Sequence, residues 1–411
     1  MRYLDEFRDP DRAKRLIAEI RRTATRRWTL MEVCGGQTHS LLRHGIDDEL
    51  ADVIDMIHGP GCPVCVTRAE AIDLAIRLSL TPGVTLATFG DMLRVPGTSM
   101  TLNQARAAGG DVRAVYSPLD AIRIASNSPA QEVVFFAVGF ETTAPATALA
   151  ACQADRLGLD RFSLLVEHVR VLPAMRLLVA DPDCRIDAFL AAGHVCTITG
   201  FEAYDDFARH CRKPIAIAGF EPVDLLLAIL HCVRELERNG HAVSNAYDRV
   251  VTQQGNASAQ MLVDQVYQSC DRDWRGLGPI PEGGLELRDA YHHRCARHRL
   301  AGRLTTNVVT MTTNVVSVTT NVVSVTTNVV SVTTNVVKIS PEDRSRPAAT
   351  PTPTEKTSLP TVCIAGDVLT GRTKPPQCPA FGTTCRPEHP LGAPMVSSEG
   401  ACAAYHRYAA P

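Results

Sequence analysis

The sequence predicts an α/β protein with two Rossmann-like parallel-sheet domains followed by a smaller C-terminal domain. Over the first 300 residues, short apolar runs alternate with longer amphipathic segments, which is typical of strands connected by helices. The apolar runs are continuous, as in Val133–Val138, rather than alternating with polar residues. Such runs indicate strands that are buried on both faces of a parallel sheet.

The predicted strands are short, rich in β-branched residues and mostly ended by Gly or Pro. They are Thr29–Val33, Val53–Ile57, Val84–Phe89, Val112–Val115, Val133–Val138, Ser163–Val166, Val195–Thr199 and Pro214–Ala218. The predicted helices have apolar residues at three- and four-residue spacing. They are Asp11–Arg22, Arg68–Leu80, Ala144–Leu157 and Pro222–Asn239.

Strand count and composition predict domains at residues 1–120, at 121–250, and at 251–300 together with 361–411. Residues 301–360 form an insertion between the two parts of the third domain. It contains five near-identical copies of a seven-residue unit at 305–339, which indicates a recent expansion of a surface loop. A Pro- and Thr-rich linker, 341–360, follows. We assign no function to the repeat.

Three Gly-Phe-Glu sequences, at 139–141, 200–202 and 219–221, each follow a predicted strand. Ligands of open α/β sheets bind beyond the carboxyl ends of the strands, so these turns are candidates to line a cleft. A structural interpretation is also open, in which Gly permits the turn, Phe packs and Glu lies at the positive N-terminus of the next helix.

The composition excludes several classes of protein. Lys and Arg total 42 against 44 Asp and Glu, a net charge of −2, which argues against a general nucleic-acid partner. The chain has neither an apolar run of about 18 residues nor a secretory signal, so we expect a cytoplasmic protein outside the membrane. In that compartment the 14 cysteines are expected to be thiols, metal ligands or redox partners.

The first cysteine motif is Met31-Glu-Val-Cys34-Gly-Gly-Gln-Thr-His39, at the end of a predicted strand. A thiol at a strand-to-helix turn faces backbone N–H groups, which predicts a lowered pKa and a reactive thiolate at Cys34. His39 is a candidate second ligand or proton relay. The alternative is that Cys34 is a buried residue used as a small hydrophobic side chain.

Two further cysteine groups follow. Cys62-Pro-Val-Cys65 at a helix start is typical of dithiol redox sites, and it is also half of a possible zinc site that no second such pair completes. The C-terminal quartet has loose spacing in a Gly- and Pro-rich segment, which favours an iron–sulfur cluster and leaves zinc open. The quartet consists of Cys363, Cys378, Cys385 and Cys402.

Five motifs together closely resemble the HypD family of nickel–iron hydrogenase maturation factors. They are Cys34-Gly-Gly-Gln-Thr-His39, Gly59-Pro-Gly-Cys-Pro-Val-Cys65, Gly139-Phe-Glu-Thr-Thr143, Cys270-Asp-Arg-Asp-Trp-Arg-Gly-Leu-Gly278 and Met395-Val-Ser-Ser-Glu-Gly-Ala-Cys402. The likeness covers residues 1–300 and 361–411. Many members of the family have further cysteines where this chain has Ala365 and Pro394.

The resemblance implies a redox-active scaffold for assembly of an Fe(CN)2CO iron centre, rather than a free-standing enzyme. It implies that Cys34 binds the iron with a cysteine of a HypC-type chaperone, that His39 lies beside it and that a HypE-type protein donates cyanide. It makes Cys62 and Cys65 a thiol/disulfide pair near the iron, and Glu141 a residue of the cleft. The C-terminal quartet is implied to hold a [4Fe-4S] cluster, which makes that segment an iron–sulfur domain.

Two other functions fit the residues alone. A general thiol–disulfide oxidoreductase would use Cys62 and Cys65, with zinc bound by the C-terminal cysteines. A metal-storage or interaction module would hold the same metals without any redox change.

Overall fold

The computed structural model describes residues 5–303 and 363–409, so the predicted repeat and linker lie outside the described residues. The segment that begins at Cys363 belongs to the same unit of the chain as the first 301 residues.

The strands, in chain order, are β1 (Trp28–Glu32), β2 (Ile54–His58), β3 (Val84–Thr88), β4 (Val112–Ala114), β5 (Glu132–Gly139), β6 (Phe162–His168), β7 (Ala188–Ala192), β8 (Ile215–Ala218), β9 (Val243–Asn245), β10 (Tyr267–Trp274) and β11 (Gly278–Leu287). The helices that precede β7 are α1 (Pro10–Thr23), α2 (Gly35–Arg43), α3 (Ile46–Glu49), α4 (Pro63–Val66), α5 (Ala69–Ser79), α6 (Leu102–Ala107), α7 (Pro118–Asn127), α8 (Ala144–Arg156) and α9 (Val171–Ala180). Those that follow it are α10 (Gly193–Thr199), α11 (Glu202–Cys211), α12 (Pro222–Glu237), α13 (Ala257–Val266), α14 (Ala296–Arg299), α15 (Ala365–Leu369) and α16 (Ala401–Tyr408).

Two parallel sheets form the body of the protein and confirm the predicted α/β class. The first sheet has the order β2-β1-β7-β8-β9, and the second has the order β4-β3-β5-β6. The chain therefore passes from the first sheet to the second after β2 and returns after β6. Residue 120 lies in α7, which connects two strands of the second sheet. Strands β10 and β11 form a separate antiparallel hairpin.

The sheets are buried by helices as the continuous apolar runs predict. All eight residues of β5 are buried, and α8 covers the second sheet with a row of fully buried alanines that includes Ala148 and Ala151. On the first sheet, α12 packs Leu226 and Ile229 against the strands. The four predicted helices are confirmed as α1, α5, α8 and α12.

One predicted strand is wrong. Residues Val195–Thr199 belong to α10, and the strand of this region is β7, seven residues earlier in the chain. The sequence of β7 is Ala-Phe-Leu-Ala-Ala, which has little intrinsic β-propensity, but all five residues are buried between β1 and β8. Burial and strand pairing therefore override local propensity. The Gly-Phe-Glu sequence at 200–202 consequently follows a helix, which ends at Gly200 with a φ of 71°.

Candidate functional site

The candidate site lies where the strand order of the first sheet reverses. The chain runs from β1 outward to β2 and later returns to place β7 on the other side of β1. Such a reversal opens a crevice at the carboxyl ends of the two strands, where α/β proteins bind ligands. Cys34 follows β1, and His194 follows β7, so their side chains come from opposite walls of this crevice.

Cys34 and His194 are in direct contact. The Cys34 Sγ lies 3.4 Å from Nδ1 of His194, and the Cys34 residue is only 1% exposed. Burial, and then the carboxylate of Glu32, raise the pKa of the Cys34 thiol well above its usual value. The predicted lowering of that pKa is therefore wrong. Burial also lowers the pKa of His194 to about 4, so a neutral imidazole faces a protonated thiol.

Two glycines of the motifs allow this close packing. A Cβ atom on Gly61 would lie 2.5 Å from the Cα of Cys34 and would also overlap its backbone nitrogen. A Cβ on Gly35 would overlap the carbonyl oxygen of Glu399, which belongs to the C-terminal segment. The Cys34 turn, the 59–65 loop and the C-terminal segment therefore touch through backbone, and the Gly35 N–H donates to the Gly61 carbonyl at 2.9 Å.

A network of buried polar side chains holds the Cys34 turn in place. The Glu32 carboxylate accepts the Cys34 N–H at 2.6 Å, the Thr38 hydroxyl and Nδ1 of His58 at 2.9 Å. The other ring nitrogen of His58 lies 3.9 Å from Asp47, which accepts the hydroxyl of Tyr405 on α16 at 3.0 Å. Burial alone would lower the pKa of His58, but the carboxylates of Asp47 and Glu32 outweigh it and raise the pKa to about 9.

His39, which the resemblance implies to lie beside the iron, contacts the last helix, α16. Its Nε2 is 3.0 Å from the Tyr408 hydroxyl, with the two rings packed edge to face, and the histidine in contact with the Cys34 sulfur is His194. The sequence places His194 near a strand end, where it was interpreted as a structural histidine rather than a ligand; β7, which positions it, was not predicted. The available signal was the Gly-His pair at the end of an apolar run, the position that a sheet-edge ligand occupies.

Cys62 and Cys65 are joined by a disulfide, and the other twelve cysteines are free. The disulfide spans the start of α4 and is buried, with Cys62 only 2% exposed. Cys65 Sγ lies 3.9 Å from the carbonyl oxygen of Ala393, in the C-terminal segment. The disulfide therefore stands between the Cys34 turn, which Gly61 touches, and the segment that carries the cysteine quartet.

The four C-terminal cysteines line a single small cavity whose exposed wall is apolar. Ala365 and Pro394, the two departures from the family pattern, line the same cavity. The Leu391 N–H donates to the Cys385 sulfur at 3.4 Å. Among residues 5–303 and 363–409, no group of three or more His, Cys, Asp or Glu side chains is arranged to hold a metal ion.

The Cys270–Gly278 motif connects these parts. Trp274 is 1% exposed, and its indole N–H donates to the carbonyl of Gly283 at 3.0 Å. The N–H of Arg275 donates to the carbonyl of Val66, next to Cys65, at 2.8 Å. Backbone atoms of the next residue, Gly276, pack against Gly366 beside the cysteine cavity. The motif thus acts as packing and turn structure between the disulfide and the quartet.

Glu141 lies in a different place. Its Oε1 accepts the Val171 N–H at 3.0 Å, and its Oε2 is buried without a hydrogen-bond partner. The residue lines a cavity of about 380 Å³ at the carboxyl edge of the second sheet. The Gly-Phe-Glu turn that does reach the Cys34 site is the one at 219–221, through the Phe220 ring, which packs against Gly36 and His194.

These observations define a class: an α/β scaffold that gathers a buried thiol, a disulfide and a cysteine quartet around the edge of a parallel sheet. No helix in the described part of the chain has the length and apolar character needed to cross a bilayer. The family described as "HypD: Hydrogenase formation hypA family" matches residues 11–327 and 330–409.

Individual relatives agree with the family match. The chain is 41% identical over 416 residues to the hydrogenase maturation factor HypD of Rhodobacter capsulatus, across 99% of this chain and 98% of the relative. It is 39% identical over 416 residues to the HypD of Escherichia coli K12, with the same two coverages. It is 38% identical over 418 residues to the HypD of Cupriavidus necator, across 99% and 97%. The chain belongs to the HypD family.

Proposed function

We propose that this chain acts in hydrogenase maturation as a scaffold that holds an iron centre at Cys34 while its Fe(CN)2CO ligand set is assembled. The iron is cargo, received and passed on. The observation that carries the proposal is the contact between the three segments that contain the cysteine groups. Gly61 joins the Cys34 turn to the disulfide loop, and Ala393 joins that loop to the quartet.

The chemistry of the Cys34 site supports a soft, low-spin iron as cargo. Thiolate and imidazole suit iron that carries cyanide and carbon monoxide better than carboxylates do. Because the Cys34 thiol is protonated when empty, binding iron must release its proton. That proton passes to solvent, and His194 Nδ1, which burial keeps neutral at 3.4 Å from the sulfur, would lie beside the metal.

The quartet fits an iron–sulfur cluster in its donor chemistry. Four cysteine residues line one cavity with an apolar wall, and a backbone N–H donates to the sulfur of one of them, as is common around such clusters. A [4Fe-4S] cluster bound by Cys363, Cys378, Cys385 and Cys402 would supply single electrons. Cys62 and Cys65 would cycle between their disulfide and two thiols, a reduction that takes up two electrons and two protons.

The proposed partners are other maturation proteins. Cys34 offers one thiolate and leaves the iron short of ligands, so a cysteine from a HypC-type chaperone would complete its coordination. A HypE-type protein would donate cyanide at the same crevice. Membership of the family supports both partners.

The decisive test is Cys34→Ser, assayed by hydrogenase maturation in a host that lacks its own copy of this gene. We expect loss of maturation of at least a hundredfold with an unchanged melting temperature. Cys184→Ser, which alters a partly exposed thiol outside the three groups, is the matched control. Maturation retained by the Cys34 variant would remove the proposed role.

The cluster has a separate test. Protein purified without oxygen should contain about four iron and four sulfide per chain, and both should fall when Cys402 is replaced by Ser. Zinc in place of iron, with no visible absorption band, would contradict the cluster.

The disulfide between Cys62 and Cys65 also favours a second candidate, a general thiol–disulfide oxidoreductase. That function predicts catalytic reduction of an unrelated disulfide substrate such as insulin. The scaffold predicts no turnover of such a substrate, because the disulfide is buried.

A further inference from the structure

The cavity of about 380 Å³ at the second sheet is a pocket that the hydrogenase proposal does not use. Glu141 comes from the turn after β5, and Arg170 follows β6, so the pocket lies at the carboxyl edge of a parallel sheet. Helices α10 and α13 and the hairpin β10–β11 supply the other walls. None of its lining residues is a cysteine, and its volume is typical of small-molecule sites.

The pocket contains an acceptor that the protein leaves unsatisfied. Glu141 Oε1 is occupied by the Val171 N–H, but Oε2 is buried with no hydrogen-bond partner. Buried polar atoms without a partner are rare, because each forfeits its hydrogen bond to water. Beside it, Gln260 uses its amide N–H groups on the carbonyls of Ile198 and Gln254, which leaves its own oxygen as a further acceptor.

Two guanidinium groups supply the opposite chemistry. The side chain of Arg170 donates to the backbone carbonyl of Glu282 at 3.2 Å, and that of Arg288 donates to the carbonyl of Asp264 at 2.6 Å. Neither bond goes to a carboxylate, so both groups keep a full charge and several N–H donors. The Asp264 side chain, exposed at the rim, offsets part of this charge.

We propose that this pocket binds a small carboxylate that also carries amide or amino N–H donors. Arg170 and Arg288 would bind the carboxylate, since guanidinium groups match its two oxygens. The N–H donors would meet Glu141 Oε2 and Gln260, while the Tyr267 ring, whose hydroxyl is engaged by Thr147, supplies an apolar wall. A single negative charge fits better than the two of phosphate, because Glu141 and Asp264 already balance part of the positive charge.

The test is isothermal titration calorimetry on the full-length protein at pH 7 with L-glutamine, which carries a carboxylate and both kinds of donor. Acetate tests the carboxylate of the ligand alone, and acetamide tests the amide N–H donors alone. Inorganic phosphate tests an oxyanion without N–H donors. We expect L-glutamine to bind at least tenfold more tightly than acetate or acetamide. Equal binding of all probes, binding of phosphate alone, or no binding of L-glutamine would each overturn the proposal.

Variants then assign the contacts. Arg170→Met should weaken L-glutamine binding at least tenfold, and Arg288→Met, at the exposed rim, gives the same test if the first variant does not fold. Glu141→Gln should also weaken it about tenfold. In this variant the side-chain oxygen must accept the Val171 N–H, so the amide NH2 group replaces Oε2 and puts a donor where wild type has a free acceptor. Glu202→Gln, in an exposed Gly-Phe-Glu turn, should bind like wild type. Unchanged binding in both arginine variants would refute the assignment.

Discussion

At the carboxyl edge of the first sheet a thiol and an imidazole converge, whereas at the edge of the second a carboxylate faces two guanidinium groups. Both edges are built from parallel strands and both contain a Gly-Phe-Glu turn. In the first, Phe220 packs against the Cys34 turn, and Glu221 points away to an ion pair with Arg8. In the second, Phe140 packs on Trp274, and its neighbour Glu141 faces the pocket.

The difference shows that the same local sequence supplies opposite chemistry, depending on which of its two side chains faces the crevice. At the first edge the Phe ring helps to exclude water from a thiol. At the second the Glu is held partly dehydrated beside a cavity. The surrounding elements decide this, since the Cys34 turn is covered by the C-terminal segment and the Glu141 pocket is walled by α13 and the hairpin.

The largest expected effect is a loss of stability at the first edge. His58→Leu removes the cation between Glu32 and Asp47 and leaves buried carboxylates without it. Breaking such a buried pair costs about 3 kcal/mol or more of the free energy of unfolding. The control is His231→Leu, at an exposed position, which should change stability by less than about 0.5 kcal/mol. Urea unfolding at pH 6 gives both values.

The pH dependence of that effect has a definite sign. The folded pKa of His58, about 9, exceeds its value of about 6.5 in an unfolded chain. Its stabilisation is therefore complete below about pH 6.5 and is lost as the pH rises through about 9. The difference between wild type and His58→Leu should shrink over that interval. A difference that stays constant from pH 6 to pH 9.5 would show that His58 acts through packing alone.

A smaller effect tests the backbone contact on which the first site depends. Gly61→Ala places a methyl group against the backbone of Cys34, and neither partner is a flexible side chain that can move away. We expect a loss of about 2 kcal/mol in stability together with loss of maturation. Gly90→Ala adds the same methyl group where no atom lies within 4 Å, so it should be neutral. Normal maturation by Gly61→Ala would show that the contact is dispensable.

The contrast between the edges also explains what the sequence can predict. Strand β5 is predicted because its apolar run is long and continuous, and α12 because its period is regular. Strand β7 is not, because its alanines acquire strand structure from burial between neighbours that are distant in sequence. The false strand at Val195–Thr199 followed from this, and His194 was interpreted as a structural histidine rather than as a neighbour of Cys34.

Two further features of the first edge differ in how far the sequence determines them. The Cys34 sulfur contacts His194, and Nε2 of His39 contacts the Tyr408 hydroxyl; the role of His39 at a bound iron stays a prediction. The raised pKa of Cys34 could not be predicted from the sequence, because it comes from burial by Phe220 and the C-terminal segment, which are distant in the chain. The sequence motif predicts the strand-to-helix turn, whereas the burial that raises the pKa of the thiol follows only from tertiary packing.

The last expected effect concerns the second edge. Burial raises the pKa of Glu141 to about 7, against about 4.3 in an unfolded chain. Stability supplied by the neutral carboxyl is therefore present below about pH 4.3 and is lost as the pH rises through about 7. Glu141→Gln, which stays neutral, should match wild type near pH 4 and become progressively more stable than wild type as the pH rises from about 4.3 to 8. Urea unfolding across this range measures the difference.

The two edges respond to different pH ranges. The contribution of Glu141 to stability changes between about pH 4.3 and 7, and that of His58 changes between about pH 6.5 and 9. Glu202→Gln is the control, since that exposed carboxylate has the same sequence neighbours and no burial to relieve. If both Glu variants gained equally at pH 8, the gain would reflect net charge rather than the pocket. A gain confined to Glu141→Gln, and abolished by saturating L-glutamine, would tie the buried carboxyl to the ligand proposed for it.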